Sequence, residues 1–120
     1  VWRFTFIWMP TIVKVFYFYM DIMPEAQGIR DMHSESLNGA KDKLFKFLSG
    51  WLGGPNLFIE EYGHPMLRYR HLPFKIGPAE RDQWMMCMNR ALTEIEMSQA
   101  LRSQVKQALG QLATHMINVE

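Results

Sequence analysis

Four histidines, His33, His64, His71 and His115, and a single cysteine, Cys87, are the side chains best suited to hold a metal in this chain of 120 residues. None is spaced for zinc: there is no HExxH pair, and Cys87 has no second thiol with which to build a ribbon or finger. Phosphate chemistry lacks its parts too, because Gly53 and Gly54 close a helical pattern and do not open a helix after a strand. Ser49 has no strand-to-helix elbow of the kind a hydrolase nucleophile needs. What is left is the chemistry of one imidazole. His71 follows a short basic and apolar turn and precedes Pro73, with Leu67, Leu72, Phe74 and Ile76 as a candidate apolar wall and Arg68 and Arg70 able to pair with carboxylates. Such a place suits something flat and apolar. A porphyrin fits that description, since its ring supplies four equatorial nitrogens and the protein need add only an axial imidazole and a slot. Taken singly, His71 is more often an ordinary loop histidine, and each arginine is as well read as part of a solvated basic turn.

Helices must bring these residues together. Val1 to Met9 alternate aromatic, β-branched and polar types, which predicts a short strand or an extended arm. From Thr11, with Pro10 at a tolerated helix start, Ile12, Val13, Phe16, Tyr17, Met20 and Met23 recur at helical spacing until Pro24. A short helical piece, Glu25 to Met32, leads to His33 and a polar turn, Ser34 to Ser36, in which a serine can cap the next helix. That helix is the clearest on the chain. Leu37, Ala40, Leu44, Phe47, Leu48 and Trp51 form its apolar face, with Lys41, Asp42, Lys43 and Lys46 mostly between them, until Gly53, Gly54 and Pro55 stop it. Asn56 to Tyr62 is a short helix or an irregular turn, and Pro65 starts a further short helix carrying Arg68, Arg70 and His71. Gly77 and Pro78 open a helix with Glu80 and Asp82 near its positive end and Trp84, Cys87, Met88, Ala91, Leu92 and Ile95 on its apolar stripe. After Ser98 the last helix carries Leu101, Val105, Ala108, Leu109, Leu112, Ala113, Met116 and Ile117. The expected sum is an all-α bundle in one domain, residues 1–120.

Three strings then stand out: GWLGGP from Gly50 to Pro55, GHPMLRYRHLPF from Gly63 to Phe74, and AERDQW from Ala79 to Trp84. In spelling and separation they closely resemble the second group of truncated haemoglobins. The resemblance runs from about Phe16 to the end of the last helix and is strongest from Ala40 to Arg90. It implies a truncated globin, a two-over-two helical sandwich with a shortened or absent first helix, and haem b held by His71 as metal ligand. Leu44, Phe47, Leu67, Phe74 and Trp84 would line the cofactor, with Arg68, Arg70 and Lys43 toward its carboxylates. A solvated lysine is an equally good account of Lys43. On the distal side the resemblance implies Tyr17, His33, Ala40, Leu44 and Trp84. Ala40 is small where larger globins place a histidine, which leaves room for a ligand. Pattern alone would make Tyr17 and Trp84 packed core aromatics and His33 an exposed turn residue. Phe6 and Ile7 stand where the family usually has two glycines, and Phe18 where it has a polar residue after the tyrosine, so residues 1–15 are an atypical segment.

A formal charge of +1 and the lack of any basic run give no electrostatic case for nucleic acid or for a membrane surface. The apolar amino-terminal run is interrupted by Arg3, Lys14 and Asp21 and broken at Pro10, so neither a membrane span nor a secretory leader is expected. One cysteine allows no internal disulfide, and a reducing, cytoplasmic setting is the simplest expectation. The function implied by the resemblance is binding of O2, NO, CO or peroxide at haem, in a monomer or homodimer. With Tyr17, His33 and Trp84 as donors, oxygen release should be slow, which favours redox or detoxifying chemistry or sensing over oxygen transport. Peroxidase-like or NO-dioxygenase-like turnover, with a reductase as partner, stays open. The alternative is a haem-free module of the globin fold that serves a protein partner.

Overall fold

Apolar residues at three- and four-residue intervals wind the first part of the chain into one helix, α1 (Trp2–Ile22). The computed structural model describes the backbone of residues 2–119 and the side chains of residues 9–119. The strand or arm expected over Val1 to Met9 is therefore corrected from Trp2 onward: that stretch is helical and Pro10 lies inside the helix, not at its start. Proline removes one rung of the helical ladder and leaves the carbonyl four residues upstream unpaired. Pro10 sits on the exposed side, where water can take up that carbonyl, while Met9, Ile12, Val13, Phe16 and Met20 form a buried stripe on the other. Burial of a continuous stripe outweighs the lost rung.

After a 3-10 turn at Pro24–Ala26 come α2 (Gln27–Arg30), α3 (Asn38–Trp51), α4 (Leu57–Tyr62), α5 (Leu67–His71), α6 (Pro78–Thr93) and α7 (Gln99–His115), and no strand forms among the described residues. The stops and starts follow local chemistry. Ser36 Oγ accepts the Asn38 amide at 3.4 Å ahead of α3, and Gly53, at φ 95°, ends it with the Gly54 amide on the Ser49 carbonyl at 2.8 Å. At α6 the Glu80 carboxylate reaches back to accept the Gly77 amide at 2.7 Å. Ser98 caps α7 by accepting the Leu101 amide at 3.1 Å. Met116 and Ile117, expected on the last helix, lie beyond its end, as Ile95 lies beyond the end of α6.

The core sits where α1 crosses α6, with α3 against the other flank of α1 and α7 behind α6. Phe16, Met20, Cys87, Met88, Ala91 and Leu92 are all essentially inaccessible there. α2 is held to α6 by Gln83, whose Oε1 accepts the Ile29 amide at 3.1 Å. A Cβ on Gly28 would stand 2.8 Å from that same oxygen, so a larger residue there would displace the end of the Gln83 side chain. No helix of the described residues is long and apolar enough to cross a membrane.

Burial also sets the chemistry of Cys87, pushing its thiol pKa up to about 11. At pH 8 the thiolate is then on the order of one part in a thousand, and no reagent can approach it. The expected result is no reaction of the folded protein with an aromatic disulfide reagent at pH 8, and one thiol titrated after unfolding in guanidinium. Fast reaction of the native protein would show that the crossing of α1 and α6 opens readily.

Candidate functional site

α5 begins on a backbone device that sequence does not announce: Met66, a non-glycine residue, adopts the left-handed conformation at φ 42°, ψ 52°. Left-handed backbone costs an ordinary side chain about 1–2 kcal/mol. The ring of His64 helps hold it, since its Nδ1 accepts the Met66 amide at 3.2 Å. The turn aims the five residues that follow, and His71 is the last of them.

The His71 ring is half-buried and its Nδ1 lies 2.6 Å from the Leu67 carbonyl oxygen. A carbonyl can only accept, so Nδ1 is the donor, and in the neutral ring Nε2 keeps a free lone pair. Around it the apolar surface is uncovered: Leu67 is half-buried, Leu72 49% and Phe74 41% exposed. α5 packs closely against none of the longer helices among the described residues. A neutral imidazole with its far nitrogen tied and its near one free, set in uncovered apolar surface, is the donor set that a porphyrin iron takes. The two arginines are already engaged by the backbone. Arg70 donates to the carbonyls of Tyr62 at 3.1 Å and His64 at 3.2 Å and lies 5.4 Å from the centre of the Phe58 ring. Arg68 donates to the Ile117 carbonyl at 3.2 Å. Lys43 is exposed, its ammonium 5.5 Å from the centre of the Tyr62 ring.

A second group lies where α1, α3 and the end of α2 meet. Tyr17 is buried, and its hydroxyl donates to the Ala40 carbonyl at 3.3 Å. Burial holds that phenol well above its ordinary pKa, so the proton stays on the oxygen. The Tyr17 ring meets His33 edge to face at 5.8 Å. His33 repeats the device of His71: its Nδ1 donates to the Ile29 carbonyl, four residues back, at 2.8 Å. In its neutral form it therefore presents an acceptor at Nε2, where a donor had been expected. Trp84 is half-buried on α6 and stacks at a tilt on Phe16, 5.1 Å between centroids; Phe16 in turn meets Tyr17 at 4.8 Å. Leu44 and Phe47 are half-buried on α3 against the core.

Tyr17, His33 and Ala40 are thus in contact, with Trp84 one ring away, while His71, Leu67, Phe74, Arg68 and Arg70 form a separate group on α5 and its following loop. An open groove of about 790 Å³, lined by Tyr19, Met85, Asn89, Arg90 and Glu94 among others, contains none of these residues. Sequence reasoning passed over one participant, Asn118. Its side-chain Nδ2 donates to the carbonyls of His71 at 3.2 Å and Phe74 at 2.9 Å, and its Oδ1 accepts the Ile76 amide at 3.0 Å. Nothing in a polar residue just past a helix end signals such a contact.

The chain and its fold have relatives among known proteins. A family model described as bacterial-like globin matches residues 8–118. The group 2 truncated hemoglobin YjbI of Bacillus subtilis is 38% identical over 90 residues, which are 75% of this chain and 68% of that protein. Among solved structures, the cold-adapted truncated hemoglobin of the Antarctic marine bacterium Pseudoalteromonas haloplanktis TAC125 superposes with a TM-score of 0.90 at 47% identity, covering 93% of this chain and 90% of that one. A group II 2-on-2 hemoglobin from the plant pathogen Agrobacterium tumefaciens gives a TM-score of 0.89 at 42% identity over 93% and 87% of the two chains.

Proposed function

Because this chain belongs to the bacterial-like globin family, we propose that the haem it binds is held by His71. It is a two-over-two globin that takes haem and diatomic gas ligands. When bound, haem would supply an iron that takes a small ligand and shifts electron density onto it. The chain's own residues do the rest. The Leu67 carbonyl fixes the tautomer and pitch of His71 and makes Nε2 a better base. Leu44, Phe47, Leu67, Phe74 and Trp84 would line the haem and shield it from water. Arg68, Arg70 and Lys43 stand at its rim, where carboxylates of the ring would compete for the nitrogens now given to carbonyls and to the Tyr62 ring. Ala40 would leave space for the ligand, and Tyr17 holds a proton in a dry setting where a hydrogen bond to developing negative charge would be strong.

The observation that carries this assignment is the 2.6 Å bond from His71 Nδ1 to the Leu67 carbonyl, which orients the ring, beside the exposed apolar side chains of Leu72 and Phe74. The buried Tyr17 hydroxyl favours slow release of oxygen, and so redox or detoxifying chemistry on oxygen, nitric oxide or peroxide, fed by a reductase, over transport. Residues 1–120 form one domain on this view, working in the cytoplasm. Titrating the haem-free protein with hemin should give a sharp Soret band saturating at one hemin per chain. A spectrum that stays that of free hemin would sink the proposal and leave a haem-free interaction module in its place.

A further inference from the structure

We infer that Asn118 is a positioning residue for the His71 imidazole, through which the segment after α7 sets the pitch of α5; this rests on His71 being the haem ligand. A helix as short as α5, Leu67–His71, has no stability of its own and satisfies few of its own backbone groups. It also lacks close packing on any longer helix among the described residues. Its orientation must come from elsewhere: the Met66 turn and the bonds of Arg70 to the Tyr62 and His64 carbonyls hold its start, and the bonds that hold its end converge on residues 117–119.

The Asn118 amide uses both of its ends. Nδ2 bridges the carbonyls of His71 and Phe74 at 3.2 and 2.9 Å, and Oδ1 takes the Ile76 amide at 3.0 Å. The backbone closes the same loop, since the Ile76 carbonyl accepts the amides of Asn118 at 2.8 Å and Val119 at 3.2 Å. Arg68 adds its bond to the Ile117 carbonyl. The segment also lies against Gly77, where a Cβ would stand 3.6 Å from Val119. Behind the strap, Leu109 and Ala113 of α7 and Met116 just past its end are buried. A rigid helix thus reaches the last residue of α5 through one side chain. The work needs a donor and an acceptor on one short stem: aspartate keeps the acceptor and loses the donor, and leucine keeps the shape and loses both.

The test compares Asn118→Leu and Asn118→Asp with the wild-type chain by three measurements. These are hydrogen exchange of the Ile76 amide in haem-free protein, the iron–histidine stretching band of the ferrous protein, and the rate of hemin transfer to an acceptor globin. Asn118→Leu should speed Ile76 exchange, shift or broaden the stretching band and release hemin about tenfold faster, the scale on which partners of a metal-bound histidine act. Asn118→Asp should keep Ile76 protected yet move the band as far, because the bond to the His71 carbonyl is gone. A role in stability alone would lower the urea midpoint and leave the band where it was, and that result overturns the inference. If Asn118→Leu does not fold, Asn118→Asp decides by the same band. An unmoved band with His71 still ligating rejects only the strap. Pigment unaffected by loss of His71 rejects the ligand assignment instead, and leaves the Ile76 amide responsive to Asn118.

Discussion

Replacing His71 by alanine should cost haem affinity by at least about a hundredfold, since even partners one shell out from a metal commonly contribute ten- to a hundredfold. The loss should be chemical and not a failure to fold. His71 contributes to the fold mainly through its backbone, whose carbonyl accepts the Phe74 amide at 3.0 Å and the Asn118 side chain at 3.2 Å. Alanine keeps both bonds and is the better helix former. The far-ultraviolet circular dichroism of the haem-free variant should therefore match wild type while the Soret band weakens, shifts and is lost to an acceptor globin. His71→Gly sharpens the test, because free imidazole can enter the space left and restore the band. An alanine variant that keeps the wild-type Soret maximum and retains its hemin would show that the ligand is another side chain. His33 is the first to examine, for its Nε2 is freed by the same four-residue back-bond to a carbonyl.

Much of the scaffold for this bond was legible in the amino-acid order, because it rests on local signals. The 3.6-residue stripe of α3 and the glycines that stop it need only neighbouring residues to explain them. So does the Gly77, Pro78 and Glu80 start of α6, and so does Ser98 at the head of α7. The amino terminus was not legible for the converse reason. A short run of aromatic and β-branched residues suits strand and helix alike, and only the packing of α1 on α6 and α3 decides between them. Pro10 then looked like a boundary, when its exposed position makes it tolerable inside the helix.

The site divides along the same line. His71 was proposed because imidazole chemistry belongs to the residue type, and Tyr17 because a family spelling pointed to it; Tyr17 is buried beside Ala40 and His33. What the side chains touch could not be found. Arg68 and Arg70 could be read from sequence as cations near the site, but not the carbonyls beyond α7 and at the end of α4 to which they donate. The strap from Asn118 joins residues 42 to 47 positions apart, and no local pattern encodes a contact of that range.

Changing Tyr17 to phenylalanine should raise the oxygen dissociation rate about ten- to a hundredfold and leave the fold nearly unaltered. Stability should hold because the ring, not the hydroxyl, does the packing: it meets Phe16 at 4.8 Å and His33 at 5.8 Å, and phenylalanine keeps both contacts. The bond that is lost, from the hydroxyl to the Ala40 carbonyl, is long at 3.3 Å. A bond of that length contributes little, and so it also yields easily to a better acceptor. Oxygen held at the haem draws negative charge and is such an acceptor; a hydrogen bond to a charged group contributes roughly 1.5–3 kcal/mol, which is the predicted change in rate. The donor is available at every physiological pH, because burial keeps the Tyr17 proton in place far into the alkaline range. Carbon monoxide draws less charge, so its dissociation should change by much less, and the ratio of the two rates separates a hydrogen bond from a mere change in pocket volume. Stopped-flow measurement of both ligands decides the matter. Equal, unchanged rates in the variant would reduce Tyr17 to a packed aromatic, and with it would go the case for slow release and for redox chemistry over transport.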